Sequence, residues 1–261
     1  MDAVYEIDGD RMVPTELARG PWSPDAQHGG GPAGLLARAL ERADPGEAHF
    51  VSRLTIELLR PVPLTPLEVR TRTLRPGRRV QWLEGSLVAD GVEVVRATAL
   101  RLRTDPALAL PVPAPEPLAL PVPADSVAYA ITFPQAQASS GFWNAMELRV
   151  AAGAFAETGD ATIWFRLTVP LVAGETPSPL QRVAAAADFG NGVSAALERG
   201  KYLFINPDLS VFLHRLPVGE WVALEARTFA EAHGIGVAES ALHDEQGRIG
   251  RAVQCLLVDR L

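Results

Sequence analysis

The chain has 261 residues, of which 48% are hydrophobic and 21% charged, and this composition excludes a disordered protein. Its formal net charge of −7 argues against nucleic acid or a membrane as the main partner, since both attract basic surfaces. A single cysteine, Cys255, excludes a disulfide framework, and the first ten residues, MDAVYEIDGD, lack the blocks of a signal peptide, so we expect a cytoplasmic protein.

The first predicted helix begins at an unusual sequence, HGGGPAG at 28–34, which continues as LLARALERA. Glycine inside a helix costs about 1 kcal/mol relative to alanine, so these glycines need a specific reason. The first turn of a helix offers free backbone N–H groups and a positive dipole end, where an oxyanion can bind. The glycines therefore indicate either a substrate carbonyl close to the backbone or close packing of the helix, and both can hold. His28 is either a substrate-binding or a structural residue.

Four strands are predicted after this helix, because apolar and polar residues alternate and many are β-branched. Their sequences are LTIEL, LEVRTRT, VQWLEGSLVA and VEVVRATALRLR, and the turn ADG at 89–91 indicates antiparallel pairing. Residues 105–126 then contain seven prolines, which exclude a helix and favour an extended segment. We predict one repeat at 1–104, a linker at 105–126 and a second repeat at 127–261; the alternative is a surface loop within one domain.

The second segment repeats this order. Ser178 and Pro179 predict the start of one long helix, LQRVAAAADFGNGVSAALERG, which contains a second glycine-rich sequence similar to the first. Its strands are DLSVFLHR, WVALEARTF, GVAESALHD and GRAVQCLLV, and residues 142–166 are expected to add strand and apolar surface. Leu54 aligns with Leu209 at an offset of 155 residues. One helix wrapped by an antiparallel sheet, present twice, predicts an α+β duplication.

Three polar residues of the second repeat align with different residues in the first. Gln254 aligns with Ala99, Asn206 with Val51 and Asp188 with Gln27, the last pair being the least secure. An unpaired buried amide costs roughly 1–3 kcal/mol, so Gln254 needs a polar partner, in a catalytic site or in the core. Asp188 is either a helix N-cap after a break or a carboxylate that orients an attacking water.

These sequences resemble the thioesterase-like superfamily of double-hotdog proteins, which includes bacterial acyl-CoA thioesterase II. The matching stretches are HGGGPAGLLARAL, SPLQRVAAAADFGNG, FINPDLSVFLHRLPVGEW and GRIGRAVQCLLVD. The resemblance implies two hotdogs, each a curved antiparallel sheet around one long helix, that pair edge to edge around a tunnel for the acyl thioester. It also implies that Asp188, Asn206 and Gln254 orient a catalytic water, although thioesterase II proteins carry threonine at the position of Asn206.

The expected function is therefore hydrolysis of a fatty-acyl or related thioester carried by CoA or an acyl carrier protein. The alternative is a non-catalytic double-hotdog protein that binds acyl thioesters or lipids. We expect no cofactor and no metal, because the histidines have no ligand spacing, and a homo-oligomer is possible. The residues expected to bind substrate are His28, Gly29, Gly30, Gly31 and Gly190.

Two other enzyme classes, lipases and hotdog hydratases, are excluded because this chain lacks their catalytic motifs. Lipases also contain HGGG, but they need a nucleophile in the sequence G-x-S-x-G, which is absent here. The sequence INPD at 205–208 is similar to the motif of hotdog hydratases, whose acid and base would stand where this chain has Phe204 and Leu209. Without that pair, hydration of an enoyl thioester is not expected.

Overall fold

A computed structural model describes residues 2–43, 48–113, 117–131, 140–155, 157–198 and 200–261. The first half contains β1 (Tyr5–Asp8), β2 (Arg11–Pro14), α1 (Gly30–Arg42), β3 (His49–Leu58), β4 (Leu67–Arg75), β5 (Val80–Ala89) and β6 (Val92–Arg103). The second half contains β7 (Val127–Tyr129), β8 (Met146–Ala152), β9 (Ala161–Leu167), α2 (Pro179–Ala187), α3 (Gly190–Val193), β10 (Tyr202–Ile205), β11 (Asp208–Leu213), β12 (Trp221–Ala230), β13 (Ile235–Asp244) and β14 (Gly247–Arg260).

The strands of the described residues form one antiparallel sheet. Its order is β1-β2-β4-β5-β6-β3-β11-β14-β13-β12-β9-β8-β7, with β10 paired separately to β14. The order β4-β5-β6-β3 is therefore followed by its mirror image, β11-β14-β13-β12. The two halves meet where β3 pairs with β11, and Thr55 lies opposite Ser210, its own counterpart at the 155-residue offset. A local twofold axis thus passes through this pair.

All eight strands predicted from alternation are present, as β3 to β6 and β11 to β14. The expected strand in residues 142–166 is also present, as β8 and β9. The sequence analysis did not predict β1, β2, β7 and β10. Each of these four has only three or four residues, a length over which alternation is not distinguishable from chance.

The prediction of one long helix in the second half is wrong, because the helix breaks at Asp188. Gln254, on β14, occupies the break: its Oε1 accepts the Asn191 N–H at 3.0 Å and its Nε2 donates to the Asp188 carbonyl at 3.3 Å. In an unbroken helix those backbone groups would bond to other turns of the same helix. After α3 the chain leaves helical conformation, and the Ser194 hydroxyl donates to the Gly190 carbonyl.

The helices α1 and α2 pack directly against each other on one face of the sheet. A Cβ added to Gly30 would lie 2.6 Å from the Ala185 carbonyl oxygen, and one added to Gly34 would lie 3.0 Å from Leu171. Leu35, Leu36 and Leu40 of α1 are fully buried between the helices and the sheet. Close packing is therefore one reason for the glycines of α1. No helix in the described ranges combines the length and hydropathy required to cross a bilayer.

The proline-rich segment leads from β6, in the middle of the sheet, to β7 at its far edge. Leu108, Leu110 and Val112 are more than 60% exposed, as expected for an extended segment on the surface. Its far end is anchored, because the Trp164 indole donates to the Pro121 carbonyl at 2.8 Å and Arg149 donates to the Pro123 carbonyl at 2.9 Å. Residues 114–116 lie outside the described residues.

Candidate active site

The three residues predicted to orient a water lie together around the Asp188 carboxylate. Asp188 ends α2 and is only 7% exposed. Its Oδ1 accepts a hydrogen bond from Asn206 Nδ2 at 2.9 Å and lies 3.5 Å from Gln254 Nε2. Two amide donors therefore face one carboxylate oxygen and fix the orientation of the carboxylate.

Gln254 links the strand β14 to the helix break. Its side chain is buried, with 1% of the residue exposed, and both ends of the amide have partners. The expected polar partner thus exists: it is the backbone on both sides of Asp188, together with the carboxylate itself. Gln254 consequently holds Asp188 in position whether or not it also contacts a water.

Asn206 lies in the short connection between β10 and β11, both of which pair with β14. The next residue, Pro207, accepts the Leu58 N–H through its carbonyl at 2.7 Å, so this connection is attached to the first half as well. Asn206 is therefore positioned at the head of β11 beside the boundary between the halves. Its amide nitrogen faces Asp188, which leaves the amide oxygen as an acceptor.

The first half also contributes a residue to the carboxylate, namely His28. Its Nδ1 lies 3.0 Å from Asp188 Oδ2, the oxygen that Asn206 does not contact. The imidazole packs against two rings, Phe142 at 5.1 Å and Phe189 at 4.5 Å, and the centroids of these two rings are themselves only 6.0 Å apart. The sequence predicted His28 to bind substrate but did not predict this partner. The only sequence signal for these two positions was the similarity of the glycine-rich stretches that begin at them, HGGG at His28 and DFGNG at Asp188.

The two glycine-rich stretches, HGGG at 28–31 and DFGNG at 188–192, lie close together in the structure but do not occupy corresponding positions in the two repeats. HGGG begins α1, whereas DFGNG ends α2, and the alignment of Asp188 with Gln27 is therefore wrong. Asp188 stands ten residues after the N-cap Ser178, and the residue ten positions after the N-cap Gly29 is Ala39. Gln27 instead accepts from the Tyr5 hydroxyl and donates to the Pro63 carbonyl, both at 2.6 Å.

Two glycines lie so close to the site that a side chain would enter it. A Cβ at Gly29 would lie 2.8 Å from Asp188 Oδ2, and one at Gly190 would lie 2.8 Å from Gln254 Oε1. The backbone amides of the other two predicted glycines have partners: Gly30 N–H donates to His28 Nδ1 at 3.0 Å and Gly31 N–H to the His28 carbonyl at 3.2 Å. Gly29 and Gly190 therefore shape the site sterically.

This geometry predicts that Gly29→Ala lowers kcat/KM about 100-fold if Asp188 has its predicted role, because a displacement of a catalytic group by about 1 Å has an effect of that size. The added methyl group must push the Asp188 carboxylate away from its amide donors. Gly192→Ala is the matched control, since its Cβ would meet no atom within 4 Å. Steady-state kinetics of both variants test this prediction, and equal activities would contradict it.

The surroundings of the site are largely uncharged. Burial raises the pKa of the Tyr5 phenol, which therefore stays neutral and donates to Gln27. Phe142, Phe165 and Phe189 form an apolar wall, with the rings of Phe165 and Phe189 4.8 Å apart. Within the described ranges no group of three or more His, Cys, Asp or Glu side chains could hold a metal ion.

Solved structures share this architecture over nearly the whole chain. A candidate thioesterase of Novosphingobium aromaticivorans DSM 12444 is 19% identical, with a TM-score of 0.74 over 98% of this chain and 99% of that one. A hot dog fold protein of Alicyclobacillus acidocaldarius is 18% identical, with a TM-score of 0.71 over 98% and 95%. The acyl-CoA thioesterase II TesB2 of Mycobacterium marinum is 16% identical, with a TM-score of 0.61 over 90% of each chain. The chain therefore has a hotdog-type fold.

Family models match the sequence in two consecutive parts. Residues 18–102 match the acyl-CoA thioesterase N-terminal domain, and residues 119–258 match the acyl-CoA thioesterase C-terminal domain. No curated protein sequence matches the chain. Because the second model alone covers more than half of its length, the chain belongs to the acyl-CoA thioesterase family and is a thioester hydrolase.

Proposed function

We propose that this protein hydrolyses fatty-acyl or related acyl thioesters with a water molecule activated by Asp188. The observation that carries the proposal is the position of Asp188: a buried carboxylate, held by Asn206 and Gln254, at the contact of the two halves. A carboxylate in this setting keeps a fixed orientation and can accept a proton from water. The family match supports acyl-CoA as the substrate.

The proposed reaction has two steps. In the first, Asp188 takes a proton from water while the water oxygen forms a bond to the thioester carbon, and the carbonyl becomes an oxyanion. In the second, the oxyanion collapses, the carbon–sulfur bond breaks, and the leaving thiolate receives the proton from Asp188. The products are a carboxylic acid and a free thiol, and the carboxylate of Asp188 is restored.

Asn206 has a defined part in this reaction. Its Nδ2 donates to Asp188 Oδ1, as a threonine hydroxyl can, but an amide also presents a carbonyl oxygen. That oxygen can accept a hydrogen bond from the second O–H group of the attacking water, whose hydrogen stays on the water oxygen, and so direct the water lone pair towards the substrate. We therefore propose that the departure from threonine preserves turnover. Gln254 is proposed to hold the water together with Asn206.

The substrate is proposed to bind between the halves. The thioester carbonyl would lie beside Gly29, Gly30 and Gly31 and the acyl chain along the Phe142, Phe165 and Phe189 wall, with His28 and Gly190 lining the site. Each half would be one hotdog repeat, 1–104 and 127–261, wrapped around its own helix, with 105–126 as the linker. The α2–α3 break means that the second repeat would use a divided helix.

Hydrolysis is distinguished from binding without turnover by following a panel of short, medium and long acyl-CoAs in ¹⁸O-labelled water. We expect free CoA to appear together with one ¹⁸O atom in the released acid, because water supplies that oxygen. Chromatographic detection of CoA avoids thiol reagents, which would also react with the exposed Cys255. Tight acyl-CoA binding without free CoA would instead establish the alternative, a non-catalytic acyl-thioester-binding protein.

A further inference from the structure

A surface cavity of about 290 Å³ lies where β3, β11 and β14 run side by side. Gln254 of β14 is buried and reaches the helix break, whereas Arg251 of the same strand is exposed and lines the cavity. Side chains at positions that differ by three point to opposite faces of a strand. The cavity therefore opens on the face of the sheet away from the helices and from Asp188.

A bulge in β14 brings two arginines to this cavity. The neighbouring strand β13 pairs with Gly250 and then with Arg248, which leaves Ile249 between them as an extra residue. In a regular strand Arg248 and Arg251 would point to opposite faces, since their positions differ by three. With the bulge, both arginines are exposed and line the cavity, while Ile249 is fully buried. Bulges re-aim side chains in this way and are frequent beside functional sites.

A second bulge, in β3, forms another wall of the cavity. Ser52 is the extra residue of that strand, and its hydroxyl donates to the Leu213 carbonyl at 3.1 Å. Gly250 is required at the centre, because a Cβ there would overlap the Phe212 carbonyl oxygen of β11. The backbone of three strands therefore gives the cavity its shape, and the side chains of Arg248 and Arg251 add its charge.

The two arginines are not neutralised by the protein. Neither Arg248 nor Arg251 has an ion-pair partner among the described residues, although acidic side chains outnumber basic ones in the chain by 31 to 24. Arg251 lies over the Phe212 ring, with 5.4 Å between the guanidinium carbon and the ring centroid. Guanidinium N–H groups that an ion pair would occupy remain available for a ligand. A positive site on a chain of net charge −7 indicates that the cavity selects an anion.

We propose that this cavity binds the phosphate groups of a nucleotide. Arginine suits phosphate because its planar group can donate two parallel hydrogen bonds. The volume of about 290 Å³ leaves room for more than a phosphate group and is close to the lower limit of small-molecule sites, about 300 Å³. Phe212 is 37% exposed, and its ring and the guanidinium plane of Arg251 offer flat surfaces on which a base can stack.

The nucleotide can be a free molecule or the nucleotide part of CoA, since both carry a base and phosphate groups. The proposal goes beyond the hydrolysis of thioesters and does not depend on Asp188. It assigns a ligand to a face of the sheet that has no part in the proposed reaction.

Calorimetric titration with ADP tests the site without any thioester. We expect ADP to bind the wild type, and to bind Arg248→Gln and Arg251→Gln at least about tenfold more weakly, the effect of losing hydrogen bonds to a charged group. Adenosine, which lacks phosphate, should also bind at least about tenfold more weakly than ADP. Arg227→Gln is the matched control: Arg227 lies over the Phe229 ring at 4.8 Å but does not line the cavity, so this variant should bind ADP like the wild type.

Absence of ADP binding by the wild type would overturn the proposal, and so would equal affinities of Arg251→Gln and Arg227→Gln. The source of the nucleotide is distinguished by the KM for acyl-CoA, an arm that rests on the proposed function. A raised KM in Arg248→Gln would assign the cavity to the nucleotide part of the substrate, and an unchanged KM with weakened ADP binding to a separate nucleotide. A wild type without thioesterase activity would contradict the proposed function and leave the ADP result as it is.

Discussion

Asp188→Asn is expected to lower kcat by about 10²–10⁴-fold, the usual contribution of a general base. The substitution removes the negative charge and the proton-accepting capacity while keeping the shape of the side chain. The new amide also fits the site, because its oxygen can accept from Asn206 as the carboxylate does. We therefore expect the free energy of unfolding to change by less than about 1 kcal/mol, in the range of an ordinary hydrogen-bond exchange.

The measurement is steady-state release of CoA, with urea unfolding of the same preparations. Asp259→Asn, on the exposed end of β14, is the matched control and should keep wild-type kcat. A variant that folds normally and retains more than about a tenth of wild-type kcat would contradict the assignment, since a loss below tenfold is too small for a general base.

Asp244→Ala should have the largest effect on stability, a loss of about 3–5 kcal/mol in the free energy of unfolding. Asp244 is fully buried and accepts hydrogen bonds from both terminal nitrogens of Arg215. It also accepts the backbone N–H groups of Val218 at 2.8 Å and Gln246 at 2.9 Å. Removing the carboxylate leaves a partly buried guanidinium and two amide donors without their acceptor.

The loss can be measured by urea unfolding at neutral pH, against Glu220→Ala as the control. Glu220 pairs with Arg166 at 3.5 Å but is 60% exposed, and such a pair contributes only about 0–1 kcal/mol. Equal effects of the two substitutions would show that burial of the Asp244 pair has no energetic importance.

The pKa of the Asp244 carboxyl also lets us predict how the free energy of unfolding depends on pH. Burial by itself raises the pKa of Asp244, but the hydrogen bonds from Arg215, Val218 and Gln246 outweigh it and lower the pKa below its ordinary value of 3.8. A carboxyl with a lowered folded-state pKa stabilises the protein above its unfolded pKa and loses that contribution as pH falls through the folded value. The acid-induced loss of stability below about pH 4 should therefore be smaller in Asp244→Ala than in the wild type.

The central strands were predictable because each leaves a local pattern. In β5 and β14, for example, buried and more exposed positions alternate along most of the strand, as a sheet with one covered face requires. Gln254 could also be singled out, because a polar residue at an otherwise apolar position of such a strand needs a partner. These inferences depend only on neighbouring residues, and that is why they succeed.

The helix break and the His28 contact depend on distant residues instead. Asn191 and Gln254, which are hydrogen-bonded in the helix break, are 63 residues apart. No residue near Asp188 in the sequence indicates that Gln254 packs into the break. His28 and Asp188 come from opposite halves and meet only because α1 and α2 pack so closely at Gly30. Tertiary contacts of this kind override local helix propensity, since one side chain can replace the hydrogen bonds of a helical turn.

The pair Thr55–Ser210 at the boundary between β3 and β11 has a consequence for how such a protein can change. In a symmetric dimer of separate chains, every substitution appears at both related positions, and a residue on the axis must pack against a copy of itself. Within one polypeptide the two positions mutate independently, so threonine can face serine, and Ala99 can fill space where its counterpart Gln254 is polar. The apolar positions of one half can therefore change in size and shape while the polar positions of the other half stay as they are.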